Sequence, residues 1–298
     1  MPLIGILAAL ATVTLWGCNF VAVKVAVTDV PPYFVTAIRF ALLAILLSPF
    51  LRVPKGCARD IAGYALIMGV GHFSIMFYAI QFLDISTTGI VLQLGTPFVV
   101  LLAWLMLKET FGIWRMAGMA LAFSGIVVLI GVPTVGVDVP SLLVLVVAAF
   151  MWALGSIRAK QIADVSPFSL IAWMGLIVAP VALGLSYLFE ADQLVRLDNA
   201  PPRFWYGLIY MILGSSIAGY GLWYWLLNRY DVTAVAPYNL LVPLIAVTSG
   251  VTIMGDELTL TKLIGGGMIL AGVTLITVRQ IVLSRRARRI SSLQGPPA

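Results

Sequence analysis

Charge is what this chain has least of. Asp, Glu, Lys and Arg make up 10% of its 298 residues and hydrophobic residues 61%, against roughly 25% and 45–50% in soluble domains. Too few polar groups remain to cover a water-exposed surface, so the composition predicts an all-α polytopic membrane protein. Cysteine is almost absent as well. Cys18 lies in an apolar stretch and Cys57 in a basic loop, too few for a disulfide framework and without metal-ligand spacing. Both are expected as free thiols, and neither a metal nor a cofactor is expected. No Gly-x4-Gly-Lys-[Ser/Thr] phosphate loop occurs, so the chain does not itself hydrolyse ATP and requires no ATPase subunit. Every Asp and Glu falls at or near the end of an apolar run. The mid-membrane carboxylate of a strong proton or sodium coupler is therefore missing.

What is present is hydrophobic length. Runs long enough to span a bilayer occur at about 3–23, 33–51, 61–82, 87–107, 113–131, 141–160, 167–188, 204–227, 233–254 and 260–282, which predicts ten transmembrane helices. The first has no basic n-region and reads as a retained helix, not a cleaved leader. The loops are short and leave no room for a soluble catalytic or nucleotide-binding domain. Lys and Arg mark the cytoplasmic side. With the N-terminus inside, that side holds Arg52, Lys55, Arg59, Lys108, Arg115 and the Arg285–Arg289 cluster among others, while only Lys24, Arg196, Arg203 and Lys262 lie outside. Both termini are predicted cytoplasmic. The Arg-rich tail reads as a retention charge beside the last helix and not as a nucleic-acid patch.

The longest-range pattern is a repeat. Tyr78, Gln93 and Pro97 recur as Tyr224, Asn239 and Pro243, each displaced by 146 positions, and Glu109 and Gly125 recur as Glu257 and Gly272 at 148 and 147. Trp16 and Lys24 recur as Trp152 and Lys160 at 136. Pro31-Pro32 opens helix two as Ser166-Pro167 opens helix seven, where proline's missing N–H would be unpaired anyway. A chain repeated once is a statement about its fold. Each half holds five helices, so domains are expected at 1–136 and 137–282, with a basic cytoplasmic tail over 283–298. Five is odd, so the second half must enter the membrane inverted. Two inverted five-helix repeats suit alternating access, because energetically similar halves can exchange shapes.

Trp16-Gly17-x-Asn19-Phe20 on helix one, Pro31-Pro32 followed by Ala37-x-Arg39-Phe40 on helix two, and Glu-x8-Gly with a later Gly on helices five and ten resemble the EamA family of the drug/metabolite transporter superfamily. The resemblance covers about 3–282. It implies ten helices, cytoplasmic termini in a bacterial inner membrane, a central substrate cavity and export of aromatic and other neutral amino acids. The second half departs from the pattern: Gly155 stands opposite Asn19, and no arginine stands opposite Arg39. A site between the halves is therefore asymmetric.

The candidate substrate-binding residues are Trp16, Asn19, His72, Tyr78, Gln93, Trp152, Tyr220 and Asn239. His72, the only histidine, falls near the middle of helix three, where it is read as an interhelical hydrogen-bonding group, a substrate contact or a proton carrier. Gln93 and Asn239 each lie four residues before a proline, Pro97 and Pro243. Proline frees the carbonyl four residues back, so each site pairs a loose carbonyl with an amide side chain, either as a substrate contact at a hinge or as interhelical glue at a static kink. Trp16 and Trp152 sit too deep for an interfacial belt and offer stacking and cation–π surface in a cavity. Asn19, one turn on from Trp16, faces the same way. Tyr78 and Tyr220 add polar-tipped rings, whereas Trp223 and Tyr224 read as anchors at the inner interface.

Three further groups read as structural. Arg39 would be neutralised by helix-end carbonyls, snorkel toward water or meet a substrate carboxylate, with structure the favoured role. Glu109 and Glu257 suit the starts of helices five and ten. Gly118, Gly125, Gly265, Gly266, Gly267 and Gly272 suit close packing of those two helices.

These residues support a facilitative secondary transporter for a neutral or zwitterionic small molecule. A proton-coupled exporter of drugs or cationic metabolites is the alternative. An intramembrane hydrolase using His72 with Ser215 or Ser216 is a remote one, since nothing orders such a dyad, and the chain is not expected to be an enzyme.

Overall fold

The computed structural model describes residues 1–52, 56–108, 112–131, 138–159, 162 and 165–293. Glu109, Lys55, Lys160 and the repeat boundary at 136/137 lie outside the described residues. Among the described residues there is no strand. The long helical segments are α1 (Leu3–Asp29), α2 (Pro32–Leu46), α3 (Ala58–Ile80), α4 (Ile85–Met106), α5 (Ile113–Gly131), α6 (Val139–Ala159), α7 (Pro167–Phe189), α8 (residues 202–229), α9 (Ala236–Met254) and α10 (Leu260–Leu293). Eight of them, all but α2 and α8, are long and apolar enough to cross a membrane. The chain is an all-helical membrane protein.

Local sequence explains the boundaries. Pro32 and Pro167 occupy the first turns of α2 and α7, and the Ser166 hydroxyl accepts the Ser169 N–H at 3.2 Å, a side-chain N-cap. The helix expected over 33–51 stops at Leu46 and continues only as a single tight turn, Ser48–Phe50. Pro49 disfavours the α conformation for the residue before it. The basic tail drawn from 283 does not begin with a break, because α10 runs on to Leu293. Glu257 does not sit in the first turn of α10, which holds no acidic residue. Thr259 caps that helix instead, its Oγ1 accepting the Lys262 N–H at 3.3 Å.

Three helix pairs, α2 with α7, α5 with α10 and α4 with α9, pack against one another in opposite directions. Glu190, just past the end of α7, accepts the Tyr33 and Phe34 N–H groups at 2.7 and 3.1 Å. These are the first amides available after two prolines, so one carboxylate satisfies the start of α2 and complements its dipole. On α5 and α10, a Cβ added to Gly118 would lie 2.8 Å from the Gly272 carbonyl, and one on Gly125 would lie 2.5 Å from the Gly265 carbonyl. Backbone thus meets backbone, as small residues permit where lipid supplies no hydrophobic drive. Gly266 instead faces Ile90 of α4, and Gly267 faces open space. On α4 and α9, Gly89 meets Ala246 and Pro243.

The remaining contacts are reciprocal as well. Helix α1 lies against α8 and α9: Tyr210 donates to the Leu15 carbonyl at 3.1 Å, and Gly17 packs on Ile245. Helix α6 lies against α3 and α4: Gly155 packs on Met68, and the Trp152 ring covers Gly95.

One buried apolar core joins most of the helices, from Ala22 and Phe40 through Phe77, Leu94 and Ala148 to Phe204 and Ile269. Two smaller clusters lie apart from it. Ala9, Leu226 and Val235 join α1, α8 and the turn leading into α9; Leu102, Ala153 and Ile157 join α4 and α6. Both are at the end of the bundle away from Lys24. At the Lys24 end polar ties dominate. Lys24 Nζ donates to the carbonyls of Ile80, Gln81 and Leu83 at 2.8, 3.0 and 2.8 Å. Lys262 pairs with Asp84 at 2.6 Å, and Arg203 with Asp29 at 2.6 Å.

Candidate functional site

Near mid-bundle the regular helix gives way in places. Leu66–Ser74 in α3 and Tyr210–Gly219 in α8 are wound as π-helix, while Leu92–Leu94 in α4 and Ala236–Leu240 at the start of α9 tighten to 3-10 geometry. Gln93 and Asn239 sit in the two tight turns, just ahead of Pro97 and Pro243. Departures of this kind leave backbone groups free to bond elsewhere, and the side chains around them use that freedom.

The widened turn of α8 is the clearest case. Trp16 of α1 donates its indole N–H to the Ser215 carbonyl at 3.3 Å, and its ring packs on Tyr220 at 5.2 Å and Trp223 at 5.3 Å between centroids. On the next residue, the Ser216 hydroxyl accepts from Arg39 Nη2 at 3.0 Å and donates to the Met211 carbonyl at 2.9 Å. Arg39 does not snorkel and does not bond helix-end carbonyls: it is 2% exposed. Its guanidinium lies 5.7, 5.1 and 5.5 Å from the ring centres of Phe40, Phe73 and Phe77. Its Nε and Nη1 have no hydrogen-bond partner. Asn19 is also buried, with its Oδ1 unpartnered.

His72 lies on the widened turn of α3, buried, its Nδ1 bonded to the Ala148 carbonyl of α6 at 2.9 Å and its ring 4.8 Å from Phe73. An interhelical hydrogen bond is therefore its observed role. Phe73 touches both His72 and Arg39, which ties the histidine to the same centre.

The other candidates stand elsewhere. Tyr78 stacks on Tyr33 at 5.9 Å and meets Phe82 at 5.5 Å, on the wall of a cleft of ≈ 410 Å³ shared with Pro32, Gln81, Phe189 and Glu190 at the Lys24 end. Trp152 covers the backbone of Gly95, two residues from Gln93 on α4. Asn239 is half-buried, its Oδ1 unpartnered.

The structure thus ties Trp16, with Tyr220 packed on it, and Arg39 to one turn of α8, links His72 to Arg39 through Phe73, and leaves Tyr78 at one end. Sequence reasoning passed over Phe73 and Phe77, named Ser216 only in a remote hydrolase dyad, and read Trp223 as an anchor, although it packs on Trp16. The available signal was Arg39 itself, a lone guanidinium two turns into an apolar helix. Among the described residues no group of His, Cys, Asp and Glu could hold a metal ion.

Three comparisons bear on this arrangement. The model of the EamA-like transporter family matches the chain twice, over residues 3–131 and 139–278. A Salmonella typhimurium protein named "Probable amino-acid metabolite efflux pump" is 33% identical over 296 residues, covering 96% of this chain and 97% of its own. An Escherichia coli protein of the same name is 32% identical over 276 residues, covering 89% and 91%. One solved crystal structure, 20% identical, shares the fold with a TM-score of 0.63 over 95% of this chain and 98% of its own.

Proposed function

The chain belongs to the EamA-like transporter family, and from that premise we propose that it exports small neutral or zwitterionic metabolites, aromatic and other neutral amino acids foremost. Export runs across a bacterial inner membrane by facilitative alternating access, with both termini cytoplasmic. The observation that carries the substrate class is its end-to-end likeness to two proteins named as amino-acid metabolite efflux pumps.

The architecture behind this reading is ten crossings in two inverted repeats, α1–α5 and α6–α10. Two copies related by an axis in the membrane plane must set each helix antiparallel to its mate. The opposed runs of α2 on α7, α4 on α9 and α5 on α10 support that relation, as does a family model that matches once in each half. Helix α8, at 28 residues about 42 Å long, reaches across the bilayer. Helix α2 has 15 residues and spans about 22 Å, shorter than the roughly 30 Å hydrocarbon core.

The ties at one end of the bundle suit the loading state of an exporter. On this orientation the Lys24 end is extracellular, and its lysine and aspartate ties hold it shut. At the cytoplasmic end the core divides into one cluster on α1, α8 and α9 and another on α4 and α6.

Counterflow into proteoliposomes tests the reading, with labelled phenylalanine, threonine and a cationic drug, each with and without a pH gradient. Amino-acid exchange indifferent to the gradient is expected. Drug exchange driven by protons would replace it with a proton-coupled multidrug exporter centred on His72.

A further inference from the structure

We propose that Arg39 is the carboxylate anchor of the transported molecule, so that this site takes free α-carboxylates and rejects the corresponding amides and amines. The proposal rests on the amino-acid export reading and adds the residue that selects the substrate's charged end.

A guanidinium carries five N–H donors in a fixed fork. Only Nη2 is bonded, to the Ser216 hydroxyl, while Nε and Nη1 are buried without partners. Among the described residues no carboxylate pairs with Arg39; Asp29 pairs with Arg203 and Asp84 with Lys262, both at the Lys24 end. Three phenyl faces offset part of the charge by cation–π attraction but accept none of the remaining N–H bonds. A buried charge left this incomplete is costly, and a carboxylate is the group whose two oxygens match the free donors.

The surroundings suit the rest of an α-amino acid. Ser215 and Ser216, successive residues of α8, hold Trp16 and Arg39 respectively, so the guanidinium and the Trp16–Tyr220–Trp223 aromatic surface are attached to the same turn of α8. Asn19, on the Trp16 face of α1, presents a buried amide oxygen with no partner, an acceptor for an ammonium group. Unfilled donors on Arg39 and an unfilled acceptor on Asn19 are the complement of a zwitterion.

The test is competition against labelled phenylalanine counterflow in proteoliposomes of the full chain, using unlabelled phenylalanine, phenylalanine amide and phenethylamine. Wild-type protein is expected to prefer the acid over the amide by about 10- to 100-fold, as for loss of a charge-assisted hydrogen bond. In Arg39→Lys and Arg39→Gln the preference should fall toward one, with weaker acid binding the cause. Equal competition by acid and amide in the wild type overturns the proposal, as does an unchanged preference in the folded variants. Should both variants misfold, Ser216→Ala, which removes only the hydroxyl partner, decides with the wild-type ratio: the acid preference should shift, and an unchanged ratio overturns the proposal. Wild-type protein that exchanges no amino acid defeats the export reading itself, and this inference with it.

Discussion

Asp256 grips Ser86 twice: Oδ2 accepts the Ser86 backbone N–H at 2.8 Å and its hydroxyl at 2.7 Å. The two residues are 170 positions apart, one in the loop after α9 and the other in the first turn of α4, so a single carboxylate oxygen ties the two halves together. Lys262, bound to Asp84 at 2.6 Å and to the Glu257 carbonyl at 2.8 Å, reinforces the same seam from α10. Under the alternating-access proposal this seam must break each time the outer side opens.

Asp256→Ala should therefore favour the outward-open state. In a background without Cys18 and Cys57, a cysteine at Leu83, which is 3% exposed beneath the seam, should react with an impermeant maleimide from outside about tenfold faster once the charge-assisted bonds are gone. An unchanged rate would mean that the seam does not hold the closed state.

The α5–α10 contact has no room for side chains. Gly272→Leu would drive atoms into the Gly118 carbonyl and Ala122 and should cost about 1–3 kcal/mol, as overpacking does. Gly267→Ala meets nothing within 4 Å and should be silent. Thermal unfolding of the two variants in detergent separates them, and equal midpoints would refute the packing argument.

Trp16 contributes both a ring and a donor. Trp16→Phe keeps the ring but leaves the Ser215 carbonyl unbonded, so a modest loss of apparent affinity is expected. Trp16→Ala also removes the ring contacts with Tyr220 and Trp223 and should raise the half-saturating phenylalanine concentration about tenfold at unchanged expression. If Trp16→Ala transports like wild type, Trp16 is not part of the site.

Cysteines placed singly at Asp198 and Arg289 should be labelled by an impermeant reagent from opposite sides of the membrane, as the distribution of lysine and arginine predicts. Labelling of both from one side would refute the orientation and, with it, the assignment of the Lys24 end as external.

Much of this molecule can be read without coordinates. Apolar runs located most of the long helices to within a few residues, because burying backbone in lipid demands continuous hydrogen bonding within one segment, but they placed the far ends of α1, α2 and α10 six, five and eleven residues off. The glycines of α5 and α10 were legible as a contact, because close approach needs residues without side chains. The prolines at 97 and 243 marked α4 and α9 as irregular near Gln93 and Asn239. The π-helical turns of α3 and α8 were not legible, since no residue type announces them, and they decide which carbonyls Trp16 can reach.

Membership in an apolar, twice-repeated helical class was determined by the sequence alone, through composition and spacing, which local chemistry enforces wherever the chain lies. The company Arg39 keeps was decided only in three dimensions. Beyond its own neighbour Phe40, whether that guanidinium snorkels or is buried depends on α3 and α8 closing two phenyl rings and a serine around it. Those partners lie 34 to 177 positions away on other helices, beyond the reach of any local pattern.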